Sequence, residues 1–209
     1  MMVEFRVSDK LFGLIPGGVF GIFSVLVGVI GDILAASFFP GYTILSNMIS
    51  DLGIGPGGIF FNIGVLLAGL FAIPYMISLG RFSNNKDGGN RTIIKVAVVS
   101  SIISSLALSM IGIVPAYRDS FMMILIHGII AAICYIGAAG YLFIYSNIMF
   151  KDERFPNIFA YIAFIDAILF ICVLFTWYSL IQWIANIFII LWTLLVASYL
   201  VYKGKHFSL

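Results

Sequence analysis

Six apolar runs, each long enough to cross a bilayer as a helix, fill most of this chain: Leu11–Phe38, Gly58–Leu79, Ile93–Val114, Phe121–Ile144, Asn157–Trp177 and Gln182–Val201. Crossing the hydrocarbon takes about 20 mostly apolar residues in helical form. A membrane barrel would alternate apolar and polar positions over shorter segments, and these runs do not. With no water to satisfy stray N–H and C=O groups, helices are what such runs must form. The expected fold class is an all-α integral membrane protein: one six-helix transmembrane bundle over residues 1–209. Composition excludes the soluble alternative. The chain is 62% hydrophobic and 10% charged with mean hydropathy +1.15, whereas a soluble domain carries about a quarter charged residues.

Lys and Arg give the expected direction. With a cytoplasmic N-terminus, Arg6, Lys10, Arg81, Lys86, Arg91, Lys95, Lys151, Arg154, Lys203 and Lys205 fall on the cytoplasmic side and only Arg118 falls outside. Such a bias in short loops is what the positive-inside rule describes. A multi-pass cell-membrane protein with both termini cytoplasmic follows. The opening "MMVEFRVSDK" precedes an apolar run longer than the roughly 7–15 residues of a signal core, so it reads as a retained first span. The loops "GRFSNNKDGGNR" and "FKDERFP" are too short to hold a soluble domain.

Several functions are excluded. A net charge of +2 is too small to argue for nucleic acid as a partner. No Gly-x-x-x-x-Gly-Lys-Ser/Thr run exists for a nucleotide. The two histidines, His127 and His206, lie at opposite ends of the spans, and Cys134 and Cys172 have no metal-ligand spacing. No metal and no cofactor are expected.

The informative stretch is "YTILSNMISDLGIGPGGIFFNIG", from Tyr42 to Gly64, on the expected outer side. It holds Asn47, Ser50, Asp51 and Asn62. Ser50 or Asp51 suits a helix cap ahead of the second span, and the glycines with Pro56 suit a tight turn. Free N–H groups at such a turn also suit an anion such as a lipid phosphate. Asp32, in the outer third of the first span, carries an insertion cost of about 2.5–3.5 kcal/mol if ionised, so it should face the bundle or a wet space. His127 lies about two turns into the fourth span, roughly 10 Å at 1.5 Å per residue. Topology brings Asp32, Asn47, Ser50, Asp51, Asn62 and His127 to one layer, a candidate polar pocket at the outer leaflet. Asp166 lies mid-span with no Lys or Arg at its depth. It is expected either to be hydrogen-bonded to a neighbouring span or to belong to a proton path. Gly28, Gly31, Gly64, Gly69 and Gly137–Gly140 read as close helix approach, Trp177, Tyr178 and Trp183 as an interfacial belt, and the twenty phenylalanines as lipid-facing bulk.

Three stretches carry a resemblance: "PGYTILSNMISDLG", "IFFNIGVLLAGL" and "GIVPAYRDSFMMILIHGIIAAICYI". In order and spacing the chain resembles the prokaryotic six-span family known as domain of unknown function 998. The matching positions are Asn47, Ser50, Asp51, Leu52, Gly53, Asn62, Gly112, Pro115 and His127. The family carries no established activity, so the resemblance supports a location for the site and implies no reaction. "MISDLG" is also similar to the Ile-Ser-Asp-x-Gly of eukaryotic six-span proteins of the DRAM and Frag type, which implies handling of membrane lipid by analogy.

Three readings follow. The first is a lipid-interacting protein or accessory subunit, with membrane lipid or membrane-protein complexes as partners. The second is an enzyme on a lipid or lipid-linked substrate, with His127 as base, Ser50 or water as nucleophile and Asp51 or Asp32 as orienting carboxylate. The third is a proton-coupled carrier using Asp32 and Asp166.

Overall fold

The computed structural model describes residues 15–84 and 91–207, with side chains in the last helix as far as Lys203. Among the described residues there are six α-helices: α1 (Gly17–Ser37), α2 (Gly58–Ser83), α3 (Arg91–Ile113), α4 (Phe121–Lys151), α5 (Asn157–Thr176) and α6 (Ser179–Phe207). A short 3-10 turn, Ile49–Ile54, interrupts the connection from α1 to α2. Among the described residues there is no strand, and each of the six helices is long and apolar enough to cross a membrane. The start of the expected first span, Arg6, Lys10, Lys86 and the side chains of Lys205 and His206 lie outside the described residues.

α2, α4 and α6 run past their apolar segments, to Ser83, Lys151 and Phe207. All three overruns lie at the end of the bundle opposite residues 38–57. Backbone hydrogen bonding does not stop where side-chain hydropathy does. Arg81 and Lys151 in the last turns also suit the negative pole of the helix dipole.

The helices form a closed ring in chain order: each packs on the next, and α6 packs back on α1. Short connections make sequence neighbours antiparallel neighbours. At the α1–α2 crossing, a Cβ on Gly31 would stand 2.7 Å from the Phe60 carbonyl oxygen and 3.0 Å from the Gly64 Cα, so only glycine fits. Serines tie the neighbouring pairs. Ser24 donates to Ala68 O at 2.8 Å, Ser109 to Leu66 O at 3.2 Å, and Ser104 to Cys134 O at 2.8 Å. In a bilayer, where lipid is as apolar as leucine, such contacts carry helix association.

The end opposite residues 38–57 is closed around Arg154. It pairs with Asp152 at 2.5 Å, donates to Phe82 O at 3.1 Å and lies 5.0 Å from the centre of the Phe82 ring. The Tyr199 hydroxyl donates to the Arg154 carbonyl, joining α6 to the α4–α5 connection.

The outside of the ring is apolar, with Ile33, Ile59, Ile136 and Phe175 among its exposed side chains. In water such a face would be an aggregation site, and in lipid it is the natural surface. The sequence expectation that the phenylalanines are lipid-facing bulk does not hold for all of them. Phe61, Phe155, Phe159 and Phe170 are buried, because a ring of six helices has an interior that aromatic volume must fill.

Candidate functional site

Residues 42–54 fold over one end of the ring and are fastened to α6. The Ile49 N–H donates to Gln182 Oε1 at 2.9 Å, the Ser179 hydroxyl to Leu45 O at 2.9 Å, and Trp183 Nε1 to the Tyr42 hydroxyl at 3.1 Å. The Tyr42 hydroxyl in turn donates to Met48 O at 3.0 Å. Burial is the main force on that phenol, the Asp51 and Asp32 carboxylates push the same way and the Trp183 hydrogen bond pulls back. Its pKa is pushed up to about 12.

Asp51 closes the 3-10 turn rather than capping the second span. Its Oδ2 accepts the Met48 N–H at 3.0 Å, while α2 begins after Gly57 with no side-chain cap. The extra turn of residues 49–54, absent from the sequence expectation, moves the cap off α2. Oδ1 of Asp51 pairs with Arg118 at 2.8 Å. Asn62 donates to Gly53 O at 3.1 Å and holds this turn to α2. Asn47 accepts from Thr43 N–H and Ser46 Oγ, both at 3.1 Å, and so serves its own loop.

Beneath this cover the ring holds a partly open cavity of about 180 Å³. Asp32 and Ser24 reach it from α1, Ser50 from the turn, His127 and Tyr135 from α4, and Gln182 and Asn186 from α6. Tyr75 and Tyr141 stand among its deeper walls. About 150 Å³ is enough for a benzene-sized guest. Asp32 interacts with the Asn186 side chain, yet the buried Nδ2 of Asn186 makes no hydrogen bond of ordinary length and angle.

A groove of about 680 Å³ lies on the bilayer side of α4, between the 48–51 segment and Trp177. Ser50, His127, Tyr135 and Gln182 line both groove and cavity, and Asp51 and Arg118 stand at the groove's rim. Phe121, Ile124, Leu125 and Ile129 present its apolar face. A second groove of about 440 Å³ follows on the α4–α5 seam, starting at Ile136, one helical turn beyond Ala132 of the first.

Of the six residues expected at one layer, Asp32, Ser50 and His127 line the cavity. Asp51 joins Ser50 and His127 on the groove, while Asn62 and Asn47 bind backbone outside both. Sequence reasoning missed Gln182 and Asn186. Their signal was available: two amides four residues apart share one face of a helix. Asp166 is fully buried on α5, and neither oxygen has a hydrogen-bond partner. The expected bond from a neighbouring span is not formed.

His127 Nδ1 lies 2.7 Å from the Val114 carbonyl oxygen. A carbonyl can only accept, so Nδ1 carries a proton and donates it to Val114. Among the described residues no hydrogen bond joins Ser50 to His127, and Asp51 is committed to Arg118 and the Met48 N–H. A nucleophile, base and orienting carboxylate are therefore not linked here. Gln182 completes the wall: Nε2 donates to the Tyr135 hydroxyl at 2.6 Å, leaving the phenol's own proton to donate elsewhere. No group of three metal-ligating side chains occurs among the described residues.

A family model described as "Protein of unknown function (DUF998)" matches residues 22–199. No curated protein and no solved structure matches the chain.

Proposed function

The chain belongs to the DUF998 family, and we propose that it is a multi-pass cell-membrane protein that binds a membrane lipid at the outer leaflet, with both termini cytoplasmic. One observation carries this reading. A groove on the outer, apolar side of α4 and a largely apolar cavity with a few polar side chains share one wall, formed by Ser50, His127, Tyr135 and Gln182. Ligand sites commonly occupy about 300–1,000 Å³, mostly apolar with a few placed polar groups, and the 680 Å³ groove fits that description. A lipid combines the two chemistries the site presents. Its polar part meets Arg118, Ser50 and His127. An acyl chain lies along α4 and continues into the α4–α5 seam. The charge bias of the loops supports the orientation, since among the described residues Arg118 is the one basic residue at this end.

Gly128 supplies the test. It lines the groove, and a Cβ there would meet nothing within 4 Å. Gly128→Trp puts a bulky side chain into the groove from a position where the Cβ itself meets nothing. Protein purified in detergent is extracted with organic solvent and the lipids are weighed by mass spectrometry. Wild type is expected to retain a lipid class in near-stoichiometric amount, and Gly128→Trp to lose most of it. Equal retention by both proteins would overturn the reading.

A further inference from the structure

Within the lipid-binding reading, on which this step rests, we infer that the cavity takes a positively charged nitrogen: the ammonium of an amine-bearing head group or of a free small amine. The cavity holds a carboxylate, Asp32, and no Lys or Arg among its lining residues. Intramembrane carboxylates are expensive and normally face a partner charge or a water-filled path. Here the nearest polar companion is the neutral amide of Asn186, whose Nδ2 makes no ordinary hydrogen bond. His127 gives no obligatory counter-charge, because a neutral ring already satisfies Nδ1 through the Val114 carbonyl. No lysine or arginine side chain stands in the cavity wall to balance Asp32.

The walls suit a cation. Four aromatic side chains, Tyr75, Tyr135, Tyr141 and Phe170, line the cavity. Aromatic faces attract cations, most strongly where water is excluded, and quaternary ammonium groups are often recognised this way. The geometry disfavours an anion in the same place. A phosphate in the cavity would face Asp32 with no cationic side chain beside it, whereas Arg118 on the groove, although paired with Asp51, is largely exposed and keeps further N–H donors for an anion. Cation inside and anion at the rim is the arrangement a zwitterionic head group would satisfy, and a free amine would satisfy its inner half.

Two arms of one experiment separate the sources. In detergent, full-length protein is titrated calorimetrically with choline, with ethanolamine and with 3,3-dimethylbutan-1-ol, the uncharged isostere of choline. In nanodiscs, retention of phosphatidylethanolamine and phosphatidylcholine is compared with that of phosphatidylglycerol. Free amines binding at least tenfold more tightly than the alcohol would assign a soluble amine. Preference confined to the amine-bearing lipids would assign the head group. Asp32→Asn is expected to lose the preference at least tenfold. No preference for charged nitrogen in either arm would overturn the inference, and retained lipid in that case would leave the lipid-binding reading standing. Should Asp32→Asn fail to fold, the comparison of choline with its isostere on wild type still decides.

Discussion

Asp51 and Arg118, 67 residues apart in the chain, meet at 2.8 Å across the mouth of the groove. The two ends of this pair are unequal. The Asp51 side chain is 9% exposed and that of Arg118 is 71% exposed. Asp51 also holds the Met48 N–H, so the carboxylate belongs to the fold while the guanidinium is largely in contact with its surroundings.

That asymmetry separates two substitutions. Asp51→Ala removes a turn closure and a buried charge partner and is expected to cost about 1–3 kcal/mol. Arg118→Ala removes only the exposed half of an ion pair and is expected to cost at most about 1 kcal/mol. Thermal unfolding in detergent measures both, and equal losses would contradict the assignment.

Gln182 links the covering segment to the cavity wall through two hydrogen bonds, to Ile49 and Tyr135. Gln182→Leu strands both partners, at a cost of about 1–3 kcal/mol. Amide hydrogen exchange at Ile49 should accelerate at least tenfold while exchange in the middle of α2 stays unchanged. Uniform acceleration would instead mean global unfolding.

Asp152 gives a pH signature at the opposite end. Partial burial would raise its carboxyl pKa, but the Arg154 hydrogen bonds and charge outweigh it and hold it below the ordinary 3.8. A folded-state value below the unfolded one stabilises the protein above about pH 3.8 and loses that contribution as pH falls further. Asp152→Asn should therefore be less stable than wild type at pH 6, with the gap narrowing on acidification below pH 3.8. Parallel melting curves at both pH values would refute it.

Asp166 is fully buried with both oxygens unpartnered. A buried unsatisfied polar group costs about 1–3 kcal/mol. Asp166→Val is expected to raise stability by about 1 kcal/mol or more, read as an increase in melting temperature. A fall would show that these oxygens are bonded, through water or ligand, in the protein as isolated.

The helices were legible because hydrocarbon thickness imposes a length that the apolar runs display directly. Their ends at Ser83, Lys151 and Phe207 were not, since helix continues beyond the runs into polar residues. Asp32, Ser50 and His127 stood out in the sequence as polar groups in or beside apolar spans, and the cavity receives all three. The part of α6 in the site was hidden by treating Gln182 as the edge of a span, although ring closure turns that edge inward. Arg118 was visible as the lone basic residue on its side. Its partner was not, because nothing local in the sequence pairs positions 51 and 118.

The covering segment is tied to the last helix by a bond between Ile49 and Gln182, 133 positions away. The order of synthesis therefore separates the cover from its anchor: residues 42–54 emerge before five of the six helices, and α6 follows the other five. A chain lacking α6 would keep five apolar helices and lose all three bonds from the cover to Ser179, Gln182 and Trp183. The last-made helix is the one on which the fit of this early segment depends.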